Sequence, residues 1–215
     1  MACTGCSQKP YSSVHTDTME RTLEIVYKRG QTCYAIDPED ENSKLYAFTA
    51  AGQPVFDQNN QSATGTGLLP GMLVNVEYDG YILETSPSQF SGISRITICD
   101  TRANNVDFLV SQISGMFPST KPEGADEWEI GFGGDELLSS SEKAALEFIL
   151  REDWAGASVT VEPGQMADPD RGRIYVECSN LTQNGMDLTI VVNDGTMPMT
   201  KAMHVELIGG LWTIV

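Results

Sequence analysis

The chain has 215 residues, enough for one large domain or two small ones, and its 40% hydrophobic and 20% charged composition is that of a folded protein. Asp and Glu number 30 against 13 Lys and Arg, a formal charge of −17, and a polyanion with no basic stripe argues against a nucleic-acid partner. Two histidines, His15 and His204, leave little room for histidine-dependent chemistry, and no apolar run reaches the roughly 18 residues that a membrane-spanning helix needs.

Residues 1–18 open as MACTGCSQKPYSS and continue small and polar, with no period of 2 or 3.6, which predicts a flexible tether. No basic segment precedes a hydrophobic run, so no signal peptide is expected in the chain as given. This fits a cytoplasmic protein, and equally a secreted or anchored one whose leader has been removed. Cys3 and Cys6 form a C-x-x-C pair, but no strand precedes it and no helix former follows, as a redox motif requires. With His15 they make three zinc ligands where about four are needed. The small residues around Cys3 and Cys6 resemble the processing boundary of bacterial lipoproteins. That resemblance implies lipid attachment at one of these cysteines, a cell-surface location, and contact with a membrane only through the anchor. Cys33, Cys99 and Cys178 lie in alternating apolar runs and are expected to be buried thiols, with a Cys33–Cys99 disulfide open if their strands are neighbours.

Residues 19–115 read as an all-β domain. In Met19–Lys28, Leu23, Ile25 and Tyr27 alternate with Glu24, Val26 and Lys28. A turn at Arg29-Gly30, a run from Thr32 to Ile36, an acidic turn from Asp37 to Asn42 and a third strand from Lys44 to Thr49 follow. Gly52 to Pro70, rich in Gly, Gln, Asn and Thr, is expected to be a long loop. Met72, Val74, Val76 and Tyr78 line one face of a strand. Asp79-Gly80 is a hairpin signal, Tyr81–Glu84 its return strand until Pro87 breaks it, and Ile93, Ile96 and Ile98 belong to the last strand. Six short strands without a confident helix close most simply as a small barrel. The residues Val74-x-Val76, Tyr78-Asp79-Gly80, Glu84-Thr85 and Pro87 resemble the corresponding part of OB-like barrels in secreted lipoproteins of Gram-positive bacteria, a family of unknown function. The resemblance implies a fold and a compartment and assigns no catalytic residue. OB-like barrels often bind oligonucleotides or oligosaccharides on one face. Residues 1–115 hold 7 Lys or Arg against 13 Asp or Glu, a balance of −6, so Tyr34, Tyr46, Phe48, Tyr78 and Tyr81 lack the basic partners of a nucleic-acid platform. Tyr78 and Tyr81 either flank the hairpin as cross-strand packing or belong to a sugar, peptide or protein surface.

A helix is expected from near Arg102 to Gly115, with Val106, Leu109, Val110 and Ile113 on one face. Residues 116–134 read as a Pro- and Gly-rich linker carrying one short alternating strand, Trp128-x-Ile130-x-Phe132. Residues 135–215 read as an α+β domain. Ser139 and Glu142 match a capping box ahead of a helix from about Ser140 to Glu152, and Trp154 follows it. Strands are expected at Val159–Val161, Arg173–Cys178, Met186–Val192, Ala202–Leu207 and Leu211–Val215. The closing Val205-x-Leu207 and Gly209-Gly210-Leu211-Trp212-x-Ile214-Val215 resemble the terminal hairpin of cystatin-like and nuclear-transport-factor-like folds. That resemblance implies one main helix packed on an antiparallel sheet.

The familiar catalytic signatures are missing. No G-x-S-x-G, H-E-x-x-H or phosphate loop occurs, and His204, in a strand, has no nucleophile beside it in sequence. The Asp37–Asn42 turn lacks the Gly and Glu of a calcium loop, and Asp168-Pro169-Asp170 is weaker still. Carboxylates are abundant, but none is distinguished by its setting. The expectation is a noncatalytic binding or scaffolding protein of the cell surface, without cofactor or metal, taking a glycan, peptide or protein partner. The junction between the domains is its likeliest groove, and Tyr78, Tyr81, Trp128 and Trp154 are the candidate binding residues, to be tested by whether they line a concavity. A carboxylate-dependent hydrolase of cell-wall or glycan substrates and an intracellular subunit of a larger complex are the alternatives.

Overall fold

The computed structural model describes residues 18–40, 44–64, 67–117, 122, 126–155, 157–162, 172–193 and 198–215. The tether with Cys3, Cys6 and His15, and the Asp168-Pro169-Asp170 turn, lie outside the described residues. The protein is a β-rich α+β structure with two curled sheets and two helices.

The first sheet holds β1 (Met19–Arg29), β2 (Thr32–Ile36), β3 (Leu45–Thr49), β4 (Val55–Phe56), β5 (Ser62–Ala63), β6 (Met72–Tyr78), β7 (Ile82–Leu83), β8 (Ser88–Phe90) and β9 (Ile93–Thr101). Their order is β5-β4-β9-β6-β1-β2-β3-β8-β7. Only Ser91 and Gly92 separate β8, which runs parallel to β3, from β9, which runs antiparallel to β6. One chain segment therefore borders both flanks, and the sheet curls around Leu23, Ile25, Cys33, Ala35, Phe48, Val74, Val76 and Ile96. Two expectations change here. The Gly52–Pro70 loop contains β4 and β5, with β4 pairing parallel to β9. The strand after Asp79-Gly80 does not return along β6 but turns away as β7 to pair with β8. The Asp79 carboxylate explains the turn: it accepts from the Tyr81 N–H (3.1 Å) and the Ser91 hydroxyl (2.7 and 2.6 Å), tying the tip to the β8–β9 junction.

The second half holds α1 (Asn105–Ser114), β10 (Glu127–Gly134), α2 (Ser140–Asp153), β11 (Ser158–Glu162), β12 (Gly172–Ser179), β13 (Gly185–Asn193), β14 (Met199–Ile208) and β15 (Leu211–Ile214). The sheet order is β11-β10-β12-β13-β14-β15. It is mixed rather than antiparallel, because β10 runs parallel to both β11 and β12. The stretch read as a linker strand thus lies inside the sheet, and α2 is the crossover that two adjacent parallel strands require. Two helices cover this sheet rather than one. The apolar face of α1, with Val106, Leu109, Val110 and Ile113, is buried in the same core as Ile130, Leu146, Ile149, Ile174 and Ile190, so α1 packs with the second half. The capping box forms as the sequence predicts, with the Glu142 N–H donating to Ser139 Oγ and the Glu142 carboxylate accepting from the Ser139 N–H. Both edges of this sheet have an amide blocked by a side chain, which hinders edge-to-edge pairing: the Val161 N–H donates to Glu147 Oε2 (3.0 Å) and the Trp212 N–H to Asn104 Oδ1 (2.9 Å).

The two halves share β1 and β2 as a wall. Leu23 and Ile25 enter the first core, whereas Val26 and Ile36 enter the second. A bulge in the β1–β2 pairing between Ile25 and Tyr27 makes this possible, because the extra residue lets Val26 and Tyr27 both pack against the helical half.

Candidate functional site

The seam between the halves is polar as well as apolar, and its polar groups form a hydrogen-bonded network at α1 and α2 with two separate pairings beside it. Asn105, the first residue of α1, accepts from Trp212 Nε1 (2.8 Å) and donates through Nδ2 to Glu142 Oε1 (3.0 Å) and to the Leu137 carbonyl (3.3 Å). Glu142 Oε2 accepts from the Ser139 N–H (2.8 Å) and hydroxyl (2.9 Å). Both oxygens of Glu142 are therefore occupied by its own chain. Arg102, between β9 and α1, donates to Glu24 Oε2 on β1 (3.1 Å). Gly71 makes the connection tight: its N–H donates to the Ile25 carbonyl (2.7 Å) and its carbonyl accepts from the Arg102 N–H (2.6 Å). At φ +88 it leaves no room for a Cβ, which would meet the Arg102 carbonyl. On the far side, Asp153 at the end of α2 accepts from the Tyr27 hydroxyl (3.2 Å) and pairs with Arg29.

Glu24 is the electrostatic outlier. It is 6% exposed. Burial pushes its pKa up to about 7, the Glu142 charge adds to that rise, and Arg102 opposes it. It is thus part protonated at neutral pH, the state a general acid needs.

Clefts open along this seam. One of about 500 Å³ is lined by Glu24, Glu39, Asp40, Arg102 and the Ser139–Glu142 turn, and a smaller one of about 290 Å³ shares Arg102, Pro38 and Glu39 with it. A groove of about 430 Å³ lies between the Glu84–Ser88 loop with Lys44 and Leu45 on one wall and Ala144, Glu147, Phe148 and Arg151 of α2 on the other. A fourth, of about 520 Å³, runs between Tyr27 and α1.

Three of the four candidate aromatic residues are buried. Trp128 and Trp154 are 1% and 0% exposed, with ring centroids 6.0 Å apart, and both pack edge-on to Phe117 at 5.4 and 5.5 Å. Trp128 also lies over Gly172, where a Cβ would meet the indole at 2.6 Å. Both rings are core groups between sheet and helices and are closed to a ligand. Tyr78 is buried, its ring centroid 4.8 Å from that of Phe90. Tyr81 alone is open, 69% exposed at the β6–β7 tip. Neither the Glu24–Arg102 pair nor the Lys44 and Arg151 groove was singled out from sequence. The one signal was Glu24 alternating with Val26 on a face that had no assigned role.

Among the described residues no group of three or more His, Cys, Asp or Glu side chains could hold a metal ion. His204 is exposed, with Nδ1 2.6 Å from Asp187 Oδ1. Across the sheet the residues run Ser179, Asp187, His204, which puts the carboxylate between hydroxyl and imidazole, an order that builds no triad. Cys33, Cys99 and Cys178 are all free. Cys99 is exposed, contrary to the expectation of a buried thiol, because the last residues of β9 face outward. No protein-family model matches the chain, and no curated protein matches it.

Proposed function

We propose that the protein is a noncatalytic binding or scaffolding protein of the cell surface, tethered through Cys3 or Cys6, that takes its ligand in the clefts along the seam. The supporting observation is the state of the seam carboxylates. Glu142 spends both oxygens on Ser139 and Asn105, and Glu24 is held by Arg102, so the chemistry there joins the two halves rather than standing free for a substrate. We also read the first sheet as an OB-like barrel. Taking β8 and β9 as one bent strand, its neighbours run β1-β2-β3-β8/β9-β6 and back to β1, with one parallel pair between the third and last strands. Glycans, peptides and proteins are the ligand classes that a −17 chain with open clefts favours over nucleic acid.

The second reading, a carboxylate-dependent hydrolase acting on a cell-wall or glycan substrate, is favoured by one observation, the Glu24 pKa near 7 beside a second carboxylate. One experiment separates the two. The full chain is incubated with purified cell-wall polysaccharide, and both co-sedimentation and new reducing ends are measured. Co-sedimentation without new ends supports the binding reading. New ends that disappear in Glu24→Gln overturn it in favour of the hydrolase, and absence of both removes cell-wall glycan from its ligand classes.

A further inference from the structure

We propose that the groove between Lys44 and Arg151 binds the carboxylate of an acidic sugar. The inference rests on the binding reading and names one ligand class for one cleft. Lys44 enters from the edge of β3 and Arg151 from the last turn of α2, so the two cations come from opposite halves and line the same 430 Å³ space. Among the described residues Lys44 has no ion pair and Arg151 has one long one. Lys44 Nζ sits 5.7 Å from the Tyr46 ring centroid and makes no ion pair with a described residue. Arg151 reaches Glu147 only at 4.0 Å, because Glu147 is turned to cap the Val161 N–H, and it lies 5.6 Å from the Phe148 ring centroid instead. Two cations on facing walls of one groove, one of them held only by a long ion pair, would take one carboxylate between them.

The remaining lining sets the rest of the ligand. Phe148, Leu45, Ala144 and Pro87 offer an apolar wall to the C–H face of a sugar ring. The Thr85–Ser88 loop offers polar groups and is pre-shaped by the Thr85 hydroxyl donating to the Pro87 carbonyl (2.6 Å). Glu84 and Glu147 also line the groove, so it is neutral as a whole on a chain of charge −17. That balance fits a ligand carrying one negative charge per site and disfavours a phosphate dianion or a dense polyanion.

The test is calorimetric titration of the full chain with a glucuronic-acid disaccharide, a neutral disaccharide of matched linkage, and inorganic phosphate. Lys44→Met and Arg151→Met keep most of the apolar stem, and their thermal midpoints report folding. The expected result is saturable binding of the uronide, the neutral sugar weaker by about tenfold or more, a loss of about tenfold in each variant, and weakening with added salt. Equal binding of neutral and acidic sugars, tighter binding of phosphate, unchanged affinity in both variants, or no saturable uronide signal overturns the inference. If the double variant still co-sediments with cell-wall polysaccharide, the groove assignment falls and the binding reading stands. If the wild type fails to co-sediment, the glycan form of the binding reading falls.

Discussion

Glu24 makes the stability of this protein depend on pH in a direction opposite to that of a salt-bridged carboxylate. In the folded chain its pKa is pushed up to about 7 from an ordinary 4.5. Between those values the folded state holds a proton that the unfolded state has lost, so stability falls as pH rises through this window, and the whole penalty is present above it. A rise of that size corresponds to about 3 kcal/mol. Glu24→Gln removes the charge at nearly constant volume and leaves an amide oxygen to accept from Arg102. At pH 8 the variant is expected to be more stable than the wild type by about 1–3 kcal/mol, the lower end allowing for the weaker hydrogen bond of a neutral acceptor. At pH 5, where Glu24 is largely protonated, the difference should shrink towards zero. Urea denaturation of both proteins at pH 5 and 8 measures this directly, because every titrating group that does not interact with Glu24 is common to both and cancels. A wild type that loses no stability relative to the variant between pH 5 and 8, or a variant less stable at pH 8, would refute the reasoning. It would mean that the Arg102 pairing outweighs burial and the Glu142 repulsion.

The polar network and the cores give further expectations. Asn105→Ala strands Trp212 Nε1 and one oxygen of Glu142 at once, and should cost about 2–4 kcal/mol in urea denaturation, since a buried group left without its partner loses its full desolvation energy. Trp128→Ala should cost about 3–5 kcal/mol as a core cavity; a loss of ligand binding with an unchanged denaturation midpoint would contradict its burial between Phe117 and Trp154. In a Cys3→Ser/Cys6→Ser background, native protein should react with one equivalent of a thiol reagent, at Cys99. Cys33 and Cys178 should react only on unfolding, because both are buried, with the Cys33 thiol raised above its ordinary pKa and that of Cys178 pushed up to about 11. Fast labelling of two or more native thiols would show that one of the cores opens.

Much of the local structure was legible because its causes are local. The alternation of Leu23 and Ile25, the Val74 and Val76 pair, the Ser139–Glu142 box and the apolar face of α1 each need only a few neighbouring residues to be read. What escaped depends on partners far along the chain. Nothing within Glu127–Gly134 says that β11 and β12 lie parallel on its two sides, and nothing around Tyr81 says that β7 pairs with β8. The aromatic residues show the same limit from the other side. A Trp in an alternating run is equally a platform or a core plug until the opposing layer is known, and here Phe117 and Gly172 decide it. The candidate site was the least legible of all, because it belongs to no single segment. Glu24 comes from β1, Arg102 from the connection to α1 and Glu142 from α2, and only the bulge that turns Val26 and Tyr27 towards the helices brings the three elements to one seam. Before that juxtaposition Glu24 is one acidic residue among 30; after it, it is a buried carboxylate beside the Glu142 charge and the Arg102 guanidinium. The same argument explains why Lys44 and Arg151 carried no signal. Their sharing one groove is a property of the fold, and becomes visible only when α2 lies across β3.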